Sequence, residues 1–240
     1  VIKEVPVDRV VIKEVERVKP MEKVIWKLHS NVPESFITGT AAKAFAENVT
    51  NRSDGRMEVT FHPGNELGYE GKNILRLIWD GTLQVSEIQA SWVSGDLPMI
   101  SGFTLPFLTQ SIEEAQKLRE HMRDFLDDEL RAKFNAKLIS FSAPAGVQIF
   151  SKVKADTVKK LKGVKIRSYD PIASALLEEL GASPVVMSSS EIYVSVQQGV
   201  VDASLGTSSS SAGRKLQEVL DYVLQWNLTF PASNGVVIGL

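Results

Sequence analysis

Residues 161–207, LKGVKIRSYDPIASALLEELGASPVVMSSSEIYVSVQQGVVDASLGT, constrain the fold more than any other part of the chain, because β-like and helical periodicities alternate there. Residues 164–167 form a short β-prone run. Asp170-Pro171 is a helix start: the carboxylate can accept free first-turn amides, and proline has the φ that the first turn needs. Ile172, Leu176, Leu177 and Leu180 follow with helical spacing, and Gly181 supplies the stop. Residues 184–187 are a second strand. Ser190 is placed to cap a second helix that carries Ile192 and Val196 and ends at Gly199, and residues 200–205 are a third strand. Strands joined through helices pair in parallel by crossover connections, and sheets of that kind bind ligands beyond the carboxyl ends of their strands. Arg167, residues 188–190 and residues 206–208 fall at those ends. The predicted rim therefore holds one permanent cation and two hydroxyl-rich loops in an α/β fold.

Composition removes several function classes. The formal net charge is -2 and no basic block is present, which argues against nucleic acid as the main partner. There is no cysteine, so neither a disulfide framework nor thiolate catalysis is available. The three histidines, His29, His62 and His121, lack zinc-ligand spacing, and no metal or cofactor is expected. No long uncharged apolar run is present to cross a membrane. The chain starts at Val1 and ends inside the apolar run GVVIGL, so it reads as a piece of a longer protein.

Residues 1–22 contain an imperfect repeat, VIKEVPVDRV then VIKEVERV, in which valine alternates with charges of both signs; this predicts a tether or spacer rather than core. Residues 24–30 are strand-like. A helix from about Glu34 carries Ile37, Ala41, Ala44, Phe45 and Val49 on one face, and Met57, Val59 and Phe61 mark a half-buried strand. Ile74, Leu75, Ile78 and Trp79 mark another helix, residues 83–88 a strand, and residues 89–92 the loop leaving it. Leu105-Pro106-Phe107-Leu108 is an apolar segment placed between lobes or on a sheet edge. Ser111-Ile112-Glu113-Glu114 is a capping box for a helix running to about Leu126. Residues 137–141 are a strand, residues 143–146 a crossing into a second lobe, 222–230 a β-prone run, 231–232 the crossing back, and 235–240 a returning strand. The expected organisation is lobe I at 23–142 and 231–240, lobe II at 143–230, and a central ligand cleft that closes by hinge motion.

LKGVKIRS, LGASPVVM, SEIYVSVQQGVVDA, SDGRMEVTFHPGNELG and LPFL occur in one order from residue 24 onward. Together they resemble the solute-binding proteins of tripartite ATP-independent periplasmic (TRAP) transporters, of the C4-dicarboxylate-binding type. The resemblance implies a two-lobed periplasmic-binding-protein-like fold with mixed or parallel sheets. It also implies extracytoplasmic capture of a small organic acid, delivery to membrane permease subunits, a lipid-anchored tether, and a C-terminal helical portion beyond residue 240. It implies that Arg167 clamps a ligand carboxylate, which suits a planar guanidinium. Three positions depart from the pattern: Gln148 stands for a second arginine, Ser189 for an aromatic, and Gly206 for an asparagine. These departures point away from a simple dicarboxylate, toward a monocarboxylate or a larger polar acid.

Two readings stand at each candidate. Arg167 contacts ligand or forms an ordinary ion pair. Tyr169 stacks on ligand or packs beneath a loop, and Trp92 walls the cleft or fills core. Ser188 and Ser189, with Ser190, offer hydroxyls and amides to an anion or merely start a helix. Gln148 contacts ligand or holds the hinge, and Gly206 and Thr207 line the rim after the third strand. Residues 208–211 read as a flexible serine loop, Glu191 and Asp202 as structural, and His29 as a packing residue. Two other classes remain open: an α/β enzyme using Asp202, Glu191 or a serine in the same cleft, and the sensing domain of a signalling protein. The poverty of nucleophiles, histidines and phosphate loops in the second lobe counts against the enzyme.

Overall fold

A computed structural model describes residues 22–142, 145–231 and 234–240. The predicted tether, apart from Glu22, lies outside the described residues, as do 143–144 and 232–233 of the two predicted crossings.

The elements run β1 (Val24–His29), α1 (Ile37–Arg52), β2 (Met57–His62), α2 (Ile74–Trp79), β3 (Val85–Gln89), α3 (Ala90–Val93), α4 (Ile112–Phe134) and β4 (Ala136–Ser142). They continue with β5 (Val147–Ser151), β6 (Lys165–Ser168), α5 (Pro171–Glu179), β7 (Ser183–Val186), α6 (Ile192–Gln197), β8 (Ala203–Gly206), α7 (Ser208–Gly213), β9 (Tyr222–Thr229) and β10 (Asn234–Gly239). Two five-stranded sheets result, ordered β2-β1-β3-β10-β4 and β7-β6-β8-β5-β9. β6 lies parallel to both β7 and β8, as the alternating periodicities predict. β10 returns to the first sheet and fits antiparallel between β3 and β4. The fold is α/β with two lobes, each sheet burying its own apolar clusters: Ile74, Leu97, Leu126 and Leu138 around the first, Ile149, Leu161, Ile166 and Leu177 around the second.

Local chemistry explains the β6–β8 region. Asp170 Oδ1 accepts the Ala173 amide at 2.7 Å with Pro171 in the first turn. Gly181 and Gly199, at φ +82° and +74°, close α5 and α6 in a conformation that glycine adopts without steric cost. Asp202 Oδ2 accepts the Lys165 amide at 3.1 Å, a structural strand-edge bond, as expected.

Six expectations need correction. The buried face of α1 is Gly39, Ala42 and Ala46, with the expected Phe45 and Val49 packed beside them, while Ile37, Ala41 and Ala44 are exposed; side chains this small leave the phase of the helix undetermined until the sheet is in place. Residues 90–93 are a helical turn rather than a loop. α4 extends to Phe134, because Leu126 and Leu130 continue its buried stripe, and Asn135 at φ +47° ends it. Ser111 Oγ accepts the Glu114 amide, but the Glu114 carboxylate reaches back to the Gln110 amide, one residue short of a reciprocal box. Ser190 does not cap α6; instead Glu191 Oε2 accepts the Ser188 amide at 2.9 Å. Residues 208–213 form α7, closed by a capping box between Thr207 and Ser210.

The 105–108 segment lies along the end of β9, as anticipated, but through its backbone. Phe107 donates its amide to Leu228 O at 2.8 Å, and Leu105 O accepts the Thr229 hydroxyl at 3.2 Å. Leu105, Phe107 and Leu108 themselves are exposed.

Candidate functional site

The parallel β7-β6-β8 arrangement brings three loops to one rim of the second sheet. Arg167 is the penultimate residue of β6, in register with Val185 of β7 and Ser204 of β8. It is buried, and both Nε and Nη2 donate to Met187 O, at 3.2 and 3.1 Å. Its guanidinium carbon lies 5.7 Å from the centre of the Tyr169 ring, within cation–π range. Burial lowers the guanidinium's pKa to about 10, with the nearby charge of Arg214 adding to the effect. It stays charged at neutral pH. The Asp170 carboxylate acts on it in the opposite sense but is committed to the start of α5.

Tyr169 is partly buried against the lobe II core, and burial raises its hydroxyl's pKa well above the ordinary phenol range. It also walls a small crevice with Thr104 and Pro106 on one side and Val147 and Leu228 on the other. Ser188 and Ser190 hydroxyls lie 2.6 Å apart on the exposed loop after β7. Gly206 ends β8; a Cβ there would sit 3.2 Å from Ser210 Oγ, a tight contact that asks the Ser210 hydroxyl to give way slightly. Thr207 Oγ1 accepts the Ser210 amide at 3.2 Å. Gln148 pairs with Gly206 across β5 and β8, and its amide is taken up within the lobe: Nε2 donates to Asn227 Oδ1 at 2.5 Å, and Oε1 accepts the Asn227 amide at 3.1 Å. Arg167, Tyr169, Ser188, Ser189, Gly206 and Thr207 thus share the rim formed by the ends of β6, β7 and β8, with Gln148 on the neighbouring strand.

Trp92 belongs to the other lobe. It sits on α3, at the carboxyl end of β3, with its ring so close to Gly71 that a Cβ there would fall 2.7 Å from the indole. His29 ends β1 fully buried, edge-on to Tyr69 at 5.7 Å, and burial holds its pKa below the usual value, so it is neutral. Neither ring nitrogen has a hydrogen-bond partner among the described residues. Beside it, Ser30 Oγ donates to Glu87 Oε2 at 2.6 Å, and burial holds the Glu87 carboxyl above the usual carboxylate range.

Two residues beside the rim, Arg214 and Phe36, had no signal in the sequence. Arg214, after α7, folds back so that Nε donates to Ser189 O at 3.1 Å and Nη1 to Ser210 O at 2.9 Å. Its guanidinium lies 4.7 Å from the centre of the Phe36 ring, which arrives from the first lobe just ahead of α1. Among the described residues, neither Arg167 nor Arg214 has a carboxylate within ion-pair distance. No group of His, Asp or Glu side chains among the described residues could hold a metal ion, and no described helix is long and apolar enough to cross a membrane.

The structure is thus an α/β protein of two lobes, with a buried guanidinium, Arg167, at the strand-end rim of the second sheet. Residues 28–239 match the model of the bacterial extracellular solute-binding proteins, family 7, and the chain belongs to that family. It is similar to a solute-binding protein of Albidiferax ferrireducens, at 27% identity over 188 residues, covering 78% of this chain and 55% of the relative. It is also similar to the sialic acid-binding periplasmic protein of Vibrio cholerae, at 24% identity, covering 68% and 51%. Among solved structures, an extracytoplasmic solute receptor of Bordetella pertussis binding pyroglutamic acid superposes with a TM-score of 0.83 at 22% identity, covering 90% of this chain and 71% of the other. A TRAP solute-binding protein of a marine metagenome, solved with pyroglutamate, superposes with a TM-score of 0.81 at 25% identity, covering 91% and 71%. The chain spans about half the length of the relatives it matches.

Proposed function

We propose that the whole protein captures a small organic acid outside the cytoplasm and delivers it to the permease subunits of a TRAP-type transporter, by binding and without catalysis. The observation that carries this is Arg167: a charged guanidinium, buried at a strand-end rim, held by a backbone carbonyl and with no carboxylate within ion-pair distance among the described residues. A buried cation of this kind favours an anion that completes its hydrogen bonding, and a carboxylate fits the guanidinium fork. The acids named for similar receptors, pyroglutamate, D-glucuronate and sialic acid, all carry one carboxylate. Arg167 takes the carboxylate, with Tyr169 beside it. Ser188, Ser189, Gly206 and Thr207 shape the remaining rim, Trp92 faces the ligand from the other lobe, and Gln148 supports the rim through Asn227. Lobe I is assigned to 23–142 and 231–240 and lobe II to 143–230, with the chain's first 22 residues as a tether to a membrane-anchored leader.

A thermal-shift screen of organic acids on the full-length protein tests this, since a ligand that binds only the folded form raises its melting temperature. Arg167→Ala should weaken the acid so found by about 2–5 kcal/mol, measured by calorimetry. Wild-type affinity in Arg167→Ala would remove Arg167 from the site.

A further inference from the structure

We infer that residues 105–109, which chain order places in lobe I, form a hinge strap that is fastened to lobe II and travels with it as the lobes open and close. This rests on the lobe closure that the binding role above requires. Four hydrogen bonds fasten the strap to the end of β9. The Phe107 amide donates to Leu228 O at 2.8 Å, and the Phe230 amide to Thr109 O at 3.1 Å. The Thr109 hydroxyl donates to Phe230 O at 2.7 Å, and the Thr229 hydroxyl to Leu105 O at 3.2 Å. Thr109 and Thr229 are each 4% exposed, and a buried donor that loses its acceptor is costly. The hold of lobe I is weaker. Leu105, Phe107 and Leu108 are exposed, and the nearest apolar residues buried in lobe I are Phe103 before the strap and Ala115 after it.

The backbone bears the mark of that attachment. Phe107 has φ +62°, a left-handed conformation that a bulky residue seldom adopts. Such strain persists where the surroundings fix the backbone on both sides, as the bonds of Leu105 O and Thr109 O to the end of β9 do here. The attachment also reaches the ligand rim. Thr104 and Pro106 wall one side of the crevice that Tyr169 lines, with Val147 and Leu228 on the other, and the Tyr169 ring lies 5.7 Å from the Arg167 guanidinium carbon. A strap that moves with lobe II keeps this crevice intact in every position of the lobes, and makes Pro106 a positioning residue for Tyr169. A strap that stayed with lobe I would break its four bonds and uncover Tyr169 at each opening. The bending therefore falls between Phe103 and Leu105 and at Gln110, in addition to the two crossings.

The test is a set of spin-label distances in the full-length protein without ligand. These 240 residues contain no cysteine, so labels at introduced cysteines are readily assigned. Leu108→Cys is paired with Val158→Cys of lobe II and, separately, with Phe125→Cys of lobe I, and the Phe125→Cys, Val158→Cys pair measures the motion of the lobes; each position is about half exposed. The Leu108–Val158 distribution should be narrow, and the Leu108–Phe125 distribution as broad as that of the lobe pair. A narrow Leu108–Phe125 distance beside a broad Leu108–Val158 distance would overturn the inference by assigning the strap to lobe I. Broad distances in both would overturn it too, as would three narrow ones, which leave the strap no motion to follow. Thr109→Val keeps the shape of the side chain and removes its donor. Hydrogen exchange at the Phe107 and Phe230 amides should then quicken by about tenfold, the worth of one hydrogen bond, and the Leu108–Val158 distribution should broaden. Circular dichroism establishes folding, and Thr229→Val serves where Thr109→Val is unfolded; unchanged exchange in the folded variant would count against the strap. Because the distances are read without ligand, a strap that follows lobe II in a protein that binds no organic acid leaves this inference standing and removes the binding role alone.

Discussion

Gly213, the last residue of α7, lies directly beneath Phe36, and a Cβ built there would fall 2.5 Å from Cε1 of that ring and 2.8 Å from Cδ1. Non-bonded carbons are comfortable at about 3.5–4.0 Å, so Gly213→Ala obliges Phe36 and α7 to separate by roughly 1 Å. Overpacking of this size costs about 1–3 kcal/mol where the surroundings cannot give. Phe36 belongs to the first lobe and α7 to the second, so the surroundings can give in one direction, by moving the lobes apart. The cost then falls on the closed form alone. Ligand affinity should drop about 5- to 150-fold, the equivalent of 1–3 kcal/mol, while the melting temperature without ligand stays at the wild-type value. Calorimetry with the acid found by screening measures the first, and differential scanning calorimetry the second. Small-angle scattering should show a larger radius of gyration for the liganded variant than for liganded wild type. Adding Phe36→Ala should return part of the lost affinity, a coupling that a double-mutant cycle reads directly. A variant that melts earlier without ligand yet binds as tightly as wild type would refute the reasoning, because Phe36 and α7 would then be fixed packing.

Two further outcomes follow from buried carboxylates. Burial raises the pKa of Glu87, so the folded chain holds its proton more firmly than the unfolded chain does. The resulting stability is complete below the unfolded pKa and is lost as pH rises through the folded one; Glu87→Gln, which keeps an acceptor for Ser30, should therefore gain in melting temperature over wild type as pH is raised from 4 to 7, and a gap independent of pH would contradict the assignment. Asp170→Ala removes the acceptor for the Ala173 amide at the start of α5 and should cost about 1 kcal/mol in urea unfolding, with no loss meaning that another group takes over the cap.

Much of the architecture is written locally. The β6-α5-β7-α6-β8 alternation, the Asp170-Pro171 start and the glycine stops at 181 and 199 depend on periodicity and on backbone conformations that few residues adopt, so they are legible one segment at a time. The parallel pairing follows from the same alternation and places Arg167 at a strand end. Where side chains are small or polar, that legibility fails. The alanines of α1 do not say which face is buried, and the serines of 208–211 look like loop until Thr207 and Ser210 close a cap around them. The extra length of α4 escaped because a charged stretch hides the two leucines that carry its stripe.

The sequence by itself determined the α/β class, the family, and Arg167 as a candidate anion contact, because each rests on residues close together in the chain. Only the tertiary structure decided that Gln148 is spent on Asn227, that Phe36 crosses between lobes onto Gly213 and Arg214, and that a second guanidinium stands at the rim. Those contacts join residues 79, 177 and 25 positions apart at Gln148–Asn227, Phe36–Gly213 and Ser189–Arg214. No periodicity spans such separations; the meeting of these groups is fixed by how two sheets pack and how α7 turns back over the loop after β7.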